Sequence, residues 1–221
     1  MTMIVIAGIP GAGKSTTTRV LAEDIGANVF VEPEEDCWPE IVRKREIYGL
    51  FTGITWFRSV RVKQLFDAER INKNHKNVIL DTYYDKLIYL YLGKPGLNWL
   101  ISSEDPYFEA TKEMAKADYE NLPNADVVIG LKVSEEVWEQ FIKNRGRELD
   151  KLESFKKECF QLQAYLLNAA RQYCHDFGKK YIEINQEIGT PKKTALIIKK
   201  ERVKQNIINC NGNIKIERQK E

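Results

Sequence analysis

A glycine-rich loop directly after a short apolar run is the strongest constraint on the fold of this chain. Residues 8–15 read Gly-Ile-Pro-Gly-Ala-Gly-Lys-Ser, which is the pattern G-x-x-x-x-G-K-S of a phosphate-binding loop. The preceding run Met3–Ala7 predicts a buried strand, and Lys14–Ile25 has the apolar spacing of a helix. A strand, this loop and a helix in succession are typical of P-loop proteins that use nucleoside triphosphates.

The residue types in the loop indicate how it binds a nucleoside triphosphate and a metal ion. Glycines let backbone N–H groups turn toward phosphate oxygens, and the first turn of the helix adds a positive partial charge. Lys14 is expected to reach the β- and γ-phosphates, and the Ser15 hydroxyl is expected to bind Mg²⁺. The predicted ATP-binding residues are Gly8, Gly11, Ala12, Gly13, Lys14, Ser15, Thr16 and, from a later segment, Arg145.

Apolar strands and amphipathic helices alternate along most of the chain. The periodicity predicts strands over 3–7, 28–32, 78–81, 127–132 and 180–184, and helices over 14–25, 39–73, 84–92, 107–121, 134–143 and 155–177. This alternation is typical of an α/β protein. We therefore predict a P-loop NTPase fold with a five-stranded parallel sheet, helices on both faces and a lid segment at the basic break 144–147.

The pattern changes at about residue 190. Residues 1–189 carry the alternation and are predicted to form the P-loop kinase domain. Residues 190–221 are rich in lysine and lack a long core pattern. We predict a C-terminal extension in which 206–216 form a β-hairpin with Asn211-Gly212 as its turn.

Composition excludes several classes of partner. The formal net charge is only +2, so we expect no binding to nucleic acid polymers. No apolar run approaches the roughly 18 residues of a membrane span, and no secretory signal is expected. The four cysteines lack metal-site spacing and indicate free thiols in a reducing cytoplasm. The apolar helical segments 54–66 and 84–92 are candidates for a homodimer interface.

Two carboxylates are expected at the edge of the sheet where the phosphate loop lies. Glu32 and Asp81 each end a predicted strand, and ligands of parallel sheets bind beyond the carboxyl ends of the strands. A kinase needs an acid that orients the acceptor hydroxyl, an acid near Mg²⁺, and arginines at the transferring phosphoryl group. The predicted catalytic residues are Glu32, Lys14, Arg145 and Arg147, and the predicted metal ligands are Ser15 and Asp81.

Other P-loop classes fit less well. A GTPase has a D-x-x-G switch after a strand and an N-K-x-D base reader. Asp81 is followed by Thr82-Tyr83-Tyr84, and residues 72–75 read Asn-Lys-Asn-His without the aspartate. Motor ATPases are usually larger and end a long apolar strand in paired acids. A small-molecule kinase therefore explains more of the residues.

In the order of its motifs, the chain resembles the deoxynucleoside kinase family over roughly residues 3–190. The resemblance rests on the phosphate loop, Glu32-Pro33, Trp56-Phe57, Asp81, Leu122-Pro123 before Ala125-Asp126-Val127-Val128-Ile129, Arg145-Gly146-Arg147-Glu148, and a long helix followed by a strand. It implies ATP as donor and a nucleoside as acceptor. It also implies that Glu32 is the base toward the 5′-hydroxyl, that Arg145 and Arg147 form the lid, and that Asp81 assists at the metal.

Two positions depart from the pattern of that family. Its third strand usually ends acid-Arg-Ser, whereas this chain has Asp81-Thr82-Tyr83. Its long helix usually carries Phe-Gln, with the glutamine on the base edge, whereas this chain has Phe57-Arg58, and arginine has no acceptor. The predicted substrate-binding residues are Glu32, Trp56, Phe57, Arg58, Arg61 and Tyr84. The aromatic residues proposed to stack on a base are Trp56, Phe57, Tyr83, Tyr84 and Tyr89.

Three functions stay open at the level of sequence. The first is a deoxynucleoside kinase, in which Arg58 or Arg61 replaces the arginine missing after Asp81. The second is a nucleoside-monophosphate kinase of the thymidylate kinase kind, in which Arg58 and Arg61 hold the acceptor phosphate. The third is a nucleotide-binding regulatory module without turnover, with the C-terminal extension as its interaction surface.

Overall fold

A five-stranded parallel sheet forms the centre of the protein, as the sequence predicts. The structure, a computed structural model, describes residues 1–146, 153–187 and 191–204. The strands are β1 (Met3–Ala7), β2 (Asn28–Phe30), β3 (Val78–Leu80), β4 (Val127–Lys132) and β5 (Lys180–Asn185). Their order across the sheet is β2-β3-β1-β4-β5, and every neighbouring pair is parallel.

Strand β1 lies in the middle of the sheet and is covered on both faces. Ile4 is in register with Ile79 of β3 and with Val127 of β4, and all five residues of β1 are buried. Met3, Val5 and Ala7 belong to one apolar cluster, while Ile4 and Ile6 belong to a second. This alternation places one cluster on each face, which is why the strand is apolar throughout.

Helices cover both faces of the sheet. They are α1 (Lys14–Ile25), α2 (Glu40–Arg43), α3 (Arg45–Tyr48), α4 (Leu50–Lys73), α5 (Tyr84–Leu87), α6 (Phe108–Asn121), α7 (Glu135–Arg145), α8 (Glu153–Asp176) and α9 (Pro191–Lys204). Helices α4 and α8 contribute to the first cluster, and α1 and α9 contribute to the second. Within the described part of the chain, no helix has the length and apolarity needed to cross a bilayer.

The segment 39–73 is not one helix, in contrast to the prediction. It forms α2, α3 and α4, and Gly49 separates the last two with a φ of 90°. That φ lies outside the helical region and is accessible at low cost only to glycine. The break lets the two short helices fold back beside the start of the long one.

Two further helix boundaries differ from the prediction. Helix α5 ends at Leu87, and a 3₁₀ turn, Ile88–Leu90, follows it, so 84–92 is not a continuous helix. A short apolar run has the same hydrophobicity in a helix and in consecutive tight turns, so periodicity does not separate them. Helix α7 continues to Arg145 and ends at Gly146.

The segment after residue 190 begins with a helix that packs on the domain. Ala195 and Ile198 of α9 are buried in the second apolar cluster, together with Leu21 of α1. The predicted extension is therefore continuous with the domain core as far as α9. The predicted hairpin over 206–216 lies outside the described residues, and the boundary at residue 190 stays a prediction.

Candidate active site

The phosphate loop connects β1 to α1 in a conformation that requires glycine. Gly11 has a φ of 83°, and a Cβ atom added there would lie 2.6 Å from Cγ2 of Ile142. Helix α7 therefore packs directly against the loop. The Trp138 indole N–H donates a hydrogen bond of 2.8 Å to the carbonyl oxygen of Pro10, which fixes the loop from the same side.

The lysine of the loop is buried beside acidic side chains. The Lys14 ammonium group donates a hydrogen bond of 3.2 Å to the carbonyl oxygen of Ile9 and lies 5.7 Å from the ring of Tyr84. Burial lowers the pKa of Lys14, and the charges of Glu32 and Asp81 partly offset that effect. The lysine thus lies at the junction of the loop and the two predicted acids.

Ser15, Asp81 and Glu32 are joined by hydrogen bonds. The Ser15 hydroxyl donates to Oδ2 of Asp81 at 2.6 Å, and the backbone N–H of Glu32 donates to Oδ1 of the same carboxylate at 3.1 Å. Burial and the charge of Glu32 raise the pKa of Asp81, although Lys14 and Ser15 act in the opposite direction. The three predicted polar features therefore converge at one edge of the sheet.

The donor set at Ser15 and Asp81 fits a magnesium ion. A hydroxyl oxygen and a carboxylate oxygen, 2.6 Å apart, are hard ligands on the same side of the loop. Magnesium in phosphate-transfer sites typically takes one or two protein oxygens and completes its shell with phosphates and water. The arrangement matches that requirement.

Arg61 of α4 links Glu32 to a second carboxylate. Its Nη1 donates to Oε1 of Glu32 at 3.0 Å, while Nε and Nη2 donate to the two oxygens of Asp85 at 2.6 and 3.0 Å. Burial alone would lower the pKa of Arg61, but Asp85 and Glu32 raise it above its ordinary value. The guanidinium is therefore a fixed cation that holds the Glu32 carboxylate in place.

Arg58 forms an equivalent pair one turn earlier on α4. Its Nε and Nη2 donate to the two oxygens of Asp118 on α6 at 2.6 and 2.7 Å. The side chain of Asp118 is 7% exposed, and that of Arg58 is 32% exposed. The hydrogen bond to Asp118 raises the pKa of Arg58, so the arginine stays protonated.

A large cavity lies between α4 and α6 and reaches the phosphate loop. It encloses about 1180 Å³ of empty space, which includes its open mouth. Glu32, Pro10 and Tyr84 lie at the phosphate-loop side, and Arg58 and Asp118 also line the cavity. Its apolar walls comprise Trp38, Leu50, Ile54, Phe57, Ile88, Tyr91, Trp99, Leu100, Met114 and Ala115. An apolar cavity with a few charged groups is the usual form of a small-molecule site.

The structure brings together only part of the predicted aromatic set. Phe57 and Tyr84 line the cavity, but Trp56, Tyr83 and Tyr89 do not. Trp56 packs edge-on against the ring of Phe57, and the Tyr83 hydroxyl donates to the carbonyl oxygen of Pro123 inside the core. The ring of Tyr89 packs against that of Tyr119, so these three residues have contacts within the protein, and their stacking on a base stays a prediction.

The predicted lid arginines are only partly described. Arg145 lines the cavity and lies in the last turn of α7, so it is helical rather than part of a loop as predicted. Its positive charge is close enough to lower the pKa of Lys14. Arg147 and the lid segment that follows lie outside the described residues.

Sequence reasoning missed four residues of this site. Asp85 and Asp118 hold the two arginines, while Trp38 and Tyr91 form part of the cavity wall. A signal for the acids was present, because two arginines three residues apart on an apolar helix face require buried counter-charges. No local pattern indicated which acids supply them.

Fold and site geometry together define a P-loop protein, with an acid, a hydroxyl and a lysine at the phosphate loop. No family model matches the chain. Two curated relatives are both named deoxyguanosine kinase. The one from Lactobacillus johnsonii is 25% identical over 156 residues, which is 69% of this chain and 67% of the relative. The one from Lactobacillus acidophilus is also 25% identical, over 69% of this chain and 66% of the relative.

Solved structures show the same fold. A deoxyadenosine kinase from M. mycoides with bound dATP superposes with a TM-score of 0.69, at 24% identity, over 91% of this chain and 100% of that chain. The structure of that kinase with bound dCTP gives a TM-score of 0.62 at 20% identity, over 91% of this chain and 99% of the other. The chain is similar in sequence to deoxynucleoside kinases and shares the fold of the solved ones, as the order of its motifs predicts.

Proposed function

We propose that this protein transfers the γ-phosphoryl group of ATP to the 5′-hydroxyl of a nucleoside, most favourably a deoxynucleoside, with Mg²⁺. The observation that carries the proposal is the position of Glu32. Its backbone contacts Asp81 at the phosphate loop, and its carboxylate lines the apolar cavity. The relatives named deoxyguanosine kinase support a nucleoside as the acceptor.

In the proposed reaction, Glu32 accepts the proton of the acceptor hydroxyl. The hydroxyl oxygen forms a bond to the γ-phosphorus, and the bond from that phosphorus to the oxygen bridging the β-phosphate breaks, which releases ADP. Arg61 holds the Glu32 carboxylate at 3.0 Å, so the base does not need to reorient during the reaction. Arg61 thereby takes the place of the arginine that is missing after Asp81.

In the proposed reaction, the phosphate loop supplies electrostatic stabilisation. Lys14 and the loop N–H groups neutralise negative charge that develops on the phosphate oxygens. Ser15 and Asp81 would hold magnesium, which would neutralise negative charge on the phosphates. Arg145, at the end of α7, and Arg147 are proposed to contact the phosphates, and the position of Arg145 in the cavity wall supports this role.

The environment of the two arginines disfavours a monophosphate as the acceptor. Each guanidinium uses two donors on one carboxylate, Arg58 on Asp118 and Arg61 on Asp85. A substrate phosphate at either arginine would lie close to the carboxylate that the guanidinium already binds, and repulsion between these like charges is unfavourable. A neutral hydroxyl acceptor meets no such repulsion.

A phosphoryl-transfer screen tests the proposal. Labelled ATP and Mg²⁺ are combined with nucleosides, deoxynucleosides and their monophosphates, with Lys14→Ala as the blank. Transfer to a nucleoside that is absent in the blank is the expected result. Transfer only to monophosphates supports the thymidylate-type alternative, and ATP binding without any transfer supports the regulatory alternative. Either result contradicts the proposal.

The role of Glu32 has its own test. Glu32→Gln should keep ATP binding and lower kcat by about 10²- to 10⁴-fold, because the hydroxyl proton loses its acceptor. Glu34→Gln is the matched control, since Glu34 is two residues away and its side chain is 55% exposed. Equal turnover in the two variants would remove Glu32 as the base.

Two wider expectations belong to the same proposal. A cytoplasmic location follows from the use of ATP and a free nucleoside, and it agrees with the sequence expectation of free thiols. A homodimer through the apolar helices remains part of the proposal, and sedimentation at equilibrium measures it directly.

A further inference from the structure

Two carbonyl groups of the phosphate loop accept hydrogen bonds from side chains of distant elements. The Trp138 indole of α7 donates to the carbonyl oxygen of Pro10 at 2.8 Å. Gln186, which directly follows β5, donates through Nε2 to the carbonyl oxygen of Ala12 at 3.3 Å. The second bond joins residues 174 positions apart in the chain, so it depends on the tertiary fold.

The bond from Gln186 determines the direction of an N–H group in the loop. A trans peptide is planar, with its C=O and N–H on opposite sides. Because the carbonyl group of Ala12 faces Gln186, the N–H of Gly13 points away from Gln186. Gly13 directly precedes Lys14 and the start of α1, where backbone N–H groups bind phosphate oxygens.

The amide group of Gln186 is fixed at both of its ends. The carbonyl of Ala12 can only accept, so it must face the amide nitrogen. That nitrogen also donates to Oγ1 of Thr17 on α1 at 3.2 Å, and Oε1 accepts a hydrogen bond from the Thr194 hydroxyl on α9. Both Gln186 and Thr194 are buried, so a rotated amide would leave polar atoms without partners, which is unfavourable.

Helix α9 brings Thr194 to this position because its apolar side is part of the core. Ala195 and Ile198 are buried in the second apolar cluster. At the other end of the chain of contacts, a Cβ atom added at Gly13 would lie 3.0 Å from Nε2 of Gln186. Contacts therefore continue from α9 through Gln186 to the phosphate loop.

We propose that Gln186, oriented by Thr194 of α9, is a positioning residue that holds the Ala12–Gly13 peptide in the conformation that binds the triphosphate. This inference rests on the proposed function for the identity of the ligand. It makes α9 a functional part of the phosphate-donor site. Gln186 and Thr194 do not line the acceptor cavity, so their effect is confined to the donor.

The first experiment measures binding to the loop by calorimetry, with ATP and with inorganic tripolyphosphate, which lacks a base and a sugar. Gln186→Leu removes both polar ends of the side chain and should raise both Kd values by about 5- to 150-fold. Gln140→Leu is the control, since Gln140 is exposed on α7. Unchanged affinities in Gln186→Leu would overturn the inference. Weaker binding of ATP alone would place Gln186 at the nucleoside part of ATP and would overturn it as well.

The second experiment changes only the group that orients the amide. Thr194→Val removes the hydroxyl with little change of shape, while Thr194→Ser keeps a hydroxyl. The valine variant should raise the KM for ATP by about 2- to 12-fold, and the serine variant should stay within about twofold of the wild type. The KM for the acceptor nucleoside should not change in either variant. An equal KM for ATP in the two variants, or a parallel rise for the acceptor, would overturn the inference.

Amide hydrogen exchange tests the contact between α9 and the loop without turnover. Since coupling between two sites is reciprocal, ATP should slow exchange in α9 of the wild type and have a smaller effect in Gln186→Leu. Equal slowing in both proteins would overturn the inference. Transfer to a nucleoside with no effect of the Gln186 and Thr194 variants would overturn this inference alone, whereas a wild type that binds neither ATP nor tripolyphosphate would overturn the proposed function with it.

Discussion

Replacement of Arg61, which lies between Glu32 and Asp85, should destabilise the protein by an amount that follows from the burial of this side chain. Arg61→Met removes a cation whose side chain is 12% exposed and leaves the carboxylate of Asp85, which is 6% exposed, without its bidentate partner. Methionine fills a similar volume with an apolar chain, so the change removes the charge with little loss of packing. The main effect of the substitution is to leave the buried negative charge of Asp85 without a partner.

The magnitude follows from the hydrogen bonds of Arg61 and from its burial. Three charge-assisted hydrogen bonds converge on Arg61, at 2.6, 3.0 and 3.0 Å, and a bond to a charged group contributes about 1.5–3 kcal/mol once the lost hydration is included. Breaking one side of a buried ion pair costs about 3–5 kcal/mol in measured cases. For a chain of this size, that loss corresponds to a fall in Tm of roughly 6–20 °C.

Urea unfolding and thermal unfolding measure the loss of stability predicted for Arg61→Met. Arg70→Met is the matched control on the same helix, because Arg70 pairs with Asp67 at the surface and should contribute about 0–1 kcal/mol. Arg61→Met combined with Asp85→Leu should recover part of the loss, since no unpaired charge is left at that position. A change below about 1 kcal/mol for Arg61→Met, or a double variant no more stable than the single one, would refute the reasoning.

Two further predictions concern stability and the phosphate loop. Burial lowers the pKa of Lys86 to about 8 from 10.5. Between these values only the unfolded chain keeps the proton, so the contribution of Lys86 to the free energy of unfolding should rise with pH, and Lys86→Met should lack this contribution; a difference in that free energy between the two proteins that is the same at pH 8 and pH 10, measured by urea unfolding, would contradict it. Gly11→Ala should abolish ATP binding in calorimetry, because the added Cβ meets Ile142 at 2.6 Å. Gly26→Ala shares a positive φ but has open space, so it should cost about 1 kcal/mol and keep ATP binding, and equal binding by both variants would refute the steric argument.

The phosphate loop and the order of the strands and helices could be predicted from the sequence because they depend on local requirements. Glycines at fixed positions, β-branched runs and helical spacing each act within a few residues. The convergence of Glu32, Asp81 and Ser15 could also be predicted from the sequence, since the carboxyl ends of parallel strands share one edge of the sheet. In the structure, Asp81 contacts both Ser15 and Glu32.

The partners of the two α4 arginines were decided only by the tertiary structure. Asp85 is 24 residues from Arg61, and Asp118 is 60 residues from Arg58. An arginine on an apolar helix face requires a counter-charge, but that requirement is met by any acid that packing brings near it. The sequence therefore determined the fold and the phosphate loop, while the packing of α4 against α5 and α6 determined which acids pair with the two arginines.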